Sequence, residues 1–402
     1  MSARKRIAVL GSTGSIGRGV LDVVEANPDA FEVLSLSGLT NVGLLAEQAE
    51  RFRVKRAAVG AEAHEPVDLP EGVELTAGRA ALEALASDPE ADLVVNALVG
   101  TAGLAVTLAA VRSGKRLALA NKESLVMAGD LITRMASETG SELIPVDSEH
   151  SSIFRCIRGG AYGEVGGVIL TASGGPLRDL PASELASAGV EEALDHPTWD
   201  MGEKITVDSA TLANKAMEVI EARWLFGLSL DAIEVVLHRE SVVHSFVRLS
   251  DGSLLAHLGS PDMRIPIQYA LCYPDAPMTE YSQQRPADMG RLTFAELEEG
   301  RHPCFDLILR AARTGGVAPA VACVADEVAV ASFLRGEITF GDISTVMERT
   351  IDAVPAGPTH SLDAVIDAVE VGRSHAAQVV GTLRDKPGRR RTPHATGRSK
   401  GQ

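Results

Sequence analysis

The chain has 402 residues, enough for two to three domains; its hydrophobic content is 45% with only 4% aromatics, so a sizeable core must be built from Ala, Val, Leu and Ile. A net charge of -16 at pH 7 excludes a nucleic-acid-binding body, and any anionic ligand must be met by a few gathered cations and backbone N–H groups. The cysteines Cys156, Cys272, Cys304 and Cys323 include no Cys-x-x-Cys pair, which argues against a disulfide framework or zinc site and for reduced thiols in a cytoplasmic protein.

The chain starts basic, and the apolar run at 7–10 is too short for a signal peptide; no later stretch is long and apolar enough to span a membrane. Residues 7–10 predict a buried parallel strand, followed at once by Gly11-Ser-Thr-Gly14-Ser-Ile-Gly17 and by helical spacing at Ile16, Val20, Val23 and Val24. Strand, glycine turn and helix form the setting in which a helix N-terminus receives a dinucleotide pyrophosphate. The same turn also serves as a strand–helix connection with no ligand. The second strand, 31–37, ends in Ser37, Gly38, Leu39, Thr40 and Asn41. No carboxylate stands there to hold a ribose hydroxyl or repel a 2′-phosphate, which favours NADP over NAD. No arginine stands there either; Arg18 is the nearby candidate for the phosphate.

Strands at 56–59, 92–96 and 116–120 alternate with helices at 80–86 and 103–112, which predicts a parallel doubly wound sheet. Ligands of such sheets sit beyond the carboxyl ends of the strands. Asn96, then Asn121, Lys122 and Glu123, then Asp147, Ser148 and Glu149 fall at predicted strand ends. Residues 142–146 read as a buried strand, and in extended backbone beyond it Asp147 and Glu149 face one side. Their mutual repulsion is relieved by a cation, and oxygen ligands select a hard ion, Mg²⁺ or Mn²⁺. A solvated turn shares the same two-residue pattern.

After His150 the pattern changes. A strand at 167–171 runs into Ser173-Gly-Gly, either an anion-wrapping loop or an ordinary turn. Strands at 233–238, 243–249 and 253–258, with Asp251-Gly252 between the last two, predict an α+β region with antiparallel pairing. The stretch 196–204 is loop-like and carries His196, Pro197, Trp199, Met201 and Gly202; Trp199 either packs down or closes over a ligand. Asp208 or Ser209 is placed to cap a helix over 210–226, whose polar stripe is Thr211, Asn214, Lys215 and Glu218. From Cys304 onward, helices at 305–313, 319–334, 343–353 and 362–383 predict a bundle without a catalytic cluster, and 386–402 is a basic, disordered tail.

Five segments together resemble the 1-deoxy-D-xylulose 5-phosphate reductoisomerase family over nearly the whole chain: the 11–17 glycine turn, Leu119-Ala-Asn-Lys-Glu-Ser-Leu-Val126, and residues 145–151, 170–178 and 196–226. The resemblance implies an α/β fold in a cytoplasmic homodimer. An N-terminal doubly wound (Rossmann-like) NADP-binding domain (1–147) precedes a central α+β catalytic domain with a lid loop (148–278). A linker (279–300), a C-terminal helical bundle (301–385) and the tail follow. It implies that a small sugar phosphate is the substrate, its carbon skeleton rearranged to an aldehyde and reduced by NADPH to 2-C-methyl-D-erythritol 4-phosphate, with no nucleic acid or membrane as partner.

The residues carried over are, for NADPH, Thr13, Gly14, Ser15, Ile16, Gly38, Asn41, Asn121, Lys122, Glu123 and Gly202. Asp147, Glu149 and Glu218 would bind Mg²⁺ or Mn²⁺, with Lys122 orienting the reacting groups. Ser173, Ser209 and Asn214, with His196, would hold the phosphate; Ser148, Asn214 and Lys215 would meet the hydroxyls and carbonyl, and Trp199 and Met201 would close over them. Val20, Leu177 and Arg155 stand where the family usually has Thr, Phe and Gln, and none of these departures removes a group the chemistry requires. A non-catalytic NADP sensor is expected to have lost a metal ligand or Lys215, and a semialdehyde-type dehydrogenase needs a Cys nucleophile motif; neither description fits.

Overall fold

Short runs of buried aliphatic residues make the central strands of the computed structural model, which describes residues 4–61, 70–161, 165–279, 281, 285–359 and 361–385. In chain order they are β1 (Lys5–Leu10), β2 (Phe31–Gly38), β3 (Arg56–Val59), β4 (Glu74–Ala77), β5 (Leu93–Asn96), β6 (Arg116–Leu119) and β7 (Leu143–Pro145). They form one sheet in the order β4-β3-β2-β1-β5-β6-β7, every neighbouring pair parallel. The chain winds outward from β1 to β4, then returns to the other side of β1 at β5. The β1/β5 boundary is therefore the topological switch point, where a ligand crevice opens beyond the carboxyl ends. As the scarcity of aromatics requires, the core is dominated by Ala, Val, Leu and Ile.

A second sheet has the order β11-β10-β8-β9-β12, from β8 (Val165–Ala172), β9 (Ile233–Leu237), β10 (Val243–Leu249), β11 (Leu254–Leu258) and β12 (Ala295–Glu296). The Asp251-Gly252 hairpin joins β10 to β11 as expected, but β8 and β9 pair in parallel, so this sheet is mixed rather than wholly antiparallel. The Ser148–Cys156 helix runs from the end of β7 onto β10 and β11, where Ser245 Oγ donates to the Glu149 carbonyl at 3.2 Å and bonds Ser152 Oγ at 2.7 Å. The Arg264–Cys272 helix packs on Ser15–Ala26, with Ile267 against Gly19.

The chain divides into two compact units, each assembled from separate stretches. One comprises Met1–Ser173 and Met217–Leu297 and holds both sheets; the other comprises Gly174–Ala216 and Glu298–Gln402 and is helical. In the helical unit the Ala318–Leu334 helix is buried along most of its length, against Phe340–Ala353 and Leu362–Arg384, as its alanine-rich sequence predicts. The basic tail lies outside the described residues.

Several local expectations change. Residues 148–156 are helical, so Asp147 and Glu149 are not alternate members of an extended strand; Asp147 is the N-cap and accepts the Glu149 N–H at 3.4 Å. A short polar side chain before a helix favours that cap over continued extension. The helix expected over 210–226 is two helices, Glu203–Thr211 and Ala213–Phe226. Leu212, at φ 57°, breaks the register between them, and Asp208 and Ser209 lie inside the first helix rather than capping the second. The strand β4 and the helices Val42–Arg51, Lys122–Thr139 and Arg264–Cys272 were not anticipated. β4 is an edge strand with little burial, so it lacks an apolar run.

Candidate active site

The glycine turn lies at the switch point. Gly11 has φ +89°, and a Cβ there would stand 2.6 Å from the Ala97 carbonyl oxygen just past β5. At Gly17 a Cβ would stand 2.2 Å from the Gly11 carbonyl oxygen, so only glycine lets the Ser15–Ala26 helix approach the turn. Gly14 and Ser15 are exposed at that helix N-terminus, with Thr13 and Ile16 half-buried beside them. Ser12 is fully buried and anchors the turn through its Oγ to Gln48 Oε1 at 2.7 Å, while Gln48 Nε2 donates to the Ser12 carbonyl at 3.0 Å. Gly38 faces Thr13, and Asn41 caps Val42–Arg51 by accepting the Leu44 N–H at 3.1 Å. The exposed helix N-terminus, flanked by residues with no room for side chains, fits a pyrophosphate.

Asn121 and Glu123 make contacts that the sequence did not reveal. Asn121 Nδ2 donates to the carbonyls of Leu98 and Gly100 at 3.1 and 2.9 Å and to Glu123 Oε2 at 2.9 Å; Glu123 Oε1 accepts the Gly100 N–H at 3.1 Å. Both side chains thus shape the 98–100 loop after β5. Asn96 is committed inward as well, donating to the Gly103 carbonyl and Thr107 Oγ1 at 2.9 Å each.

One turn further along the sheet, three elements bring charge together. Lys122 opens the Lys122–Thr139 helix after β6, Asp147 caps the helix after β7, and Glu218 projects from Ala213–Phe226. A Cβ on Gly129 would lie 2.2 Å from the Trp224 ring, so the bare glycine seats the tryptophan and brings these two helices close. Lys122 is 6% exposed; its Nζ is ion-paired with Asp147 and lies 3.3 Å from Glu218 Oε1. Burial opposes its charge, yet Asp147, Glu218 and Glu221 outweigh burial and hold its pKa well above the ordinary lysine value.

His150 and Glu221, both fully buried, complete the cluster and were missed in the sequence. The His150 Nε2–H donates to the Glu218 carbonyl at 2.9 Å. That leaves Nδ1 facing Asp147 Oδ1 and Glu221 Oε2, each at 3.5 Å. A bare lone pair there would face two carboxylates, so the imidazolium form is favoured. Burial alone would lower the His150 pKa; Glu221 and Asp147 raise it to about 9. Burial, aided by Asp147 and Glu218 and opposed by His150 and Lys122, raises Glu221 to about 8. Neither Glu221 oxygen has a hydrogen-bond partner among the described residues.

One carboxylate oxygen each from Asp147 and Glu218 and a His150 ring nitrogen lie within 4.8 Å of one another; the protonated ring has no lone pair to give, which leaves the two carboxylates as ligands. Two carboxylates at that spacing, with the Glu221 oxygens buried nearby and without hydrogen-bond partners among the described residues, form a donor set that fits a hard divalent cation. Glu149 stands in the first turn of its helix, its carboxylate bonded to Ser148 Oγ, and is not among those three.

The helical unit holds a separate set of the expected residues. Gly174 and Gly175 have φ of +85° and +73°, and a Cβ on Gly175 would lie 2.4 Å from the Ser209 carbonyl oxygen. The loop that follows Ser173 therefore packs backbone to backbone on the helix bearing Ser209. His196 Nδ1 accepts the N–H groups of Thr198 and Trp199 at 3.1 and 3.0 Å, which leaves the ring hydrogen on Nε2 as a donor. Burial, with Arg178 next, lowers its pKa to about 4, so His196 is neutral. Trp199 and Met201 are half-buried, Gly202 is exposed, Asn214 is half-buried and Lys215 is 4% exposed.

Comparison with known proteins gives one answer along the chain. The family model described as 1-deoxy-D-xylulose 5-phosphate reductoisomerase matches residues 7–129, its C-terminal domain matches 143–226, and the DXP reductoisomerase C-terminal domain matches 258–375. The 1-deoxy-D-xylulose 5-phosphate reductoisomerase of Moorella thermoacetica is 48% identical over 380 residues, covering 93% of this chain and 98% of its own. That of Trichlorobacter lovleyi is 46% identical over 387 residues, covering 94% and 98%. The Zymomonas mobilis enzyme in complex with NADPH superposes with a TM-score of 0.85 at 39% identity, over 95% of this chain and 100% of that one. A DOX-P reductoisomerase in complex with NADPH, fosmidomycin and magnesium gives 0.87 at 34% identity, over 95% and 99%.

Proposed function

The chain belongs to the 1-deoxy-D-xylulose 5-phosphate reductoisomerase family, and from that premise we propose how its residues divide the work. It is an NADP-dependent oxidoreductase that converts 1-deoxy-D-xylulose 5-phosphate with NADPH and a divalent metal. The product on this reading is 2-C-methyl-D-erythritol 4-phosphate, for isoprenoid biosynthesis in the cytoplasm. The observation that carries it is the gathering of Asp147, Glu218 and Glu221 around Lys122 and His150, on the same sheet whose switch point bears the glycine turn.

The 1–147 segment takes NADPH, with the pyrophosphate at the N-terminus of Ser15–Ala26 and Thr13, Gly14, Ser15, Ile16, Gly38 and Asn41 around it. Asn121 and Glu123 act through the 98–100 loop that they hold. NADPH supplies the hydride. Asp147, Glu149 and Glu218 would hold Mg²⁺ or Mn²⁺, which would supply a Lewis acid for the carbonyl and developing alkoxide oxygens of the substrate. Lys122 orients the reacting groups. Ser173, Ser209 and Asn214 hold the phosphate, with His196 donating from Nε2; Ser148, Asn214 and Lys215 meet hydroxyls and carbonyl. The 148–278 segment is thus the catalytic partition, and 301–385 the helical one. A homodimer is supported by β11, an edge strand that exposes Leu254, Leu255 and Leu258 at 48, 39 and 41%.

Two expected results test the finer assignments. With no carboxylate at the end of β2, kcat/KM is expected to favour NADPH over NADH by tenfold or more, the worth of about one charge-assisted hydrogen bond. Steady-state rates with both cofactors decide this, and equal values contradict it. The 196–202 loop is the proposed lid, closing over substrate with Trp199 and Met201 and excluding water from the aldehyde. Trp199→Ala is expected to lower kcat/KM by about one to two orders of magnitude with little loss of Tm. An anchor residue would instead cost about 3–5 kcal/mol of stability, and protease cleavage of the loop would then not respond to substrate and metal.

A further inference from the structure

The helical unit contains a buried ionic triad that none of the chemistry above uses. Lys204 Nζ is ion-paired with Asp208 Oδ2, four residues on, and lies 2.8 Å from Asp326 Oδ2. Asp208 and Asp326 are 2% and 0% exposed. No local spacing signals this triad, because the contact spans 122 positions and Asp326 sits in an alanine-rich helix.

Two features of Lys204 call for an explanation. It is the second residue of Glu203–Thr211, where the helix dipole disfavours a cation. It also precedes its aspartate in the i,i+4 pair, the poorer of the two orientations. Intrahelical pairing in that poorer orientation leaves room for a second partner, and Asp326 of the Ala318–Leu334 helix shares the ammonium with Asp208. On that helix, Asp326 stands among buried alanines and valines, where an apolar residue would serve packing at least as well.

We propose that Asp326 is a positioning residue for the sugar phosphate: through Lys204 it fixes the first turn of the helix that carries Ser209 and that ends the 196–202 loop. The tether reaches further than one helix. Gly175 rests directly on the Ser209 carbonyl, so the loop after Ser173 follows that helix. On the other side of the loop Arg301, from the same C-terminal stretch, donates to the carbonyls of Leu177 and Leu180 at 3.3 and 2.5 Å. The C-terminal stretch, through Arg301 and the Ala318–Leu334 helix, thus holds both pieces of backbone assigned to the phosphate. The inference rests on the proposed role of Ser209, and it gives the bundle a part in substrate affinity rather than only in folding.

The test is kinetic, on the full-length protein with NADPH, Mg²⁺ and 1-deoxy-D-xylulose 5-phosphate. Asp326→Ala removes the tether and leaves the Lys204–Asp208 pair, and is expected to raise KM for the sugar phosphate about tenfold. Asp326→Asn keeps an acceptor for Lys204 without the charge, and is expected to raise it about threefold. In both, KM for NADPH and kcat at saturation stay within about twofold. An unchanged sugar-phosphate KM in Asp326→Ala overturns the proposal; should that variant not fold, an unchanged KM in Asp326→Asn does. Parallel rises in both KM values, or failure of both variants to fold, assign Asp326 a purely structural role and also overturn it. Inactive wild-type protein would instead count against the functional reading itself, a separate outcome.

Discussion

Glu218→Gln is expected to lower kcat/KM by about three orders of magnitude, equivalent to about 4 kcal/mol, while the metal-free protein keeps its fold. Glu218 is 1% exposed, and its oxygen lies 3.3 Å from Lys122 Nζ, inside the group formed with Asp147 and His150. Glutamine preserves size and helix propensity and removes one negative charge. Removing one member of a buried ion pair usually costs about 3–5 kcal/mol. Here the cost should be far smaller. Lys122 keeps its pair with Asp147, and the repulsion between the Glu218 and Asp147 charges disappears. Metal binding is what fails. Thermal unfolding with and without Mn²⁺ separates the two effects, because an ion that binds the native state raises Tm. The wild-type protein should show the rise and the variant should lose it, from nearly the same metal-free Tm. A variant with near-normal kcat at saturating metal rules out Glu218 as a ligand.

Lys122→Met should behave in the opposite way. Its buried ammonium offsets Asp147 and Glu218, so its loss leaves the buried Glu218 and the partly buried Asp147 without compensation, at about 3–5 kcal/mol of metal-free stability. A divalent ion supplies the missing positive charge, so Mn²⁺ should restore a large part of that stability. Activity should not return with it, since the cation that orients the reacting groups is gone; a fall of about a hundredfold in kcat is expected. The measurement is again unfolding with and without metal, paired with steady-state rates. Metal-free stability equal to that of the wild type would contradict the charge balance proposed for the cluster.

What the sequence disclosed about this cluster follows from which physical signals are local. Asp147 and Glu218 were legible because carboxylates at a strand end and on a polar helix stripe are unusual. Lys122 was found through its place after β6. His150 escaped because residues 147–149 were read as extended; in the helix that exists, His150 lies three residues after Asp147 and on its face. Glu221 likewise lies three residues after Glu218 and extends the stripe of Asn214 and Glu218, a signal that was present and went unused. Asp326 with Lys204, and Asn121 with the 98–100 loop, had no such signal. Those contacts depend on how distant segments come together, which no local spacing encodes.

The same distinction applies to the fold. The alternation of apolar strands and helices, with a glycine turn after the first strand, implies the parallel sheet, and the order around β1 then puts the turn at the switch point. Helix limits depended on features that propensity does not register. The left-handed backbone at Leu212 splits an otherwise continuous helical pattern and changes which residues share a face. β4 and Arg264–Cys272 owe their structure to pairing and packing partners far off in sequence.

The most direct test of the central claim is NADPH consumption by the purified protein with 1-deoxy-D-xylulose 5-phosphate as sole substrate. It is measured first in protein stripped with a chelator and then after Mg²⁺ is restored. The expected result is oxidation of NADPH that requires the sugar phosphate, stops on chelation and returns with the metal. Metal-replete protein that consumes no NADPH when the substrate is added, or stripped protein that consumes it at the same rate, would contradict the account.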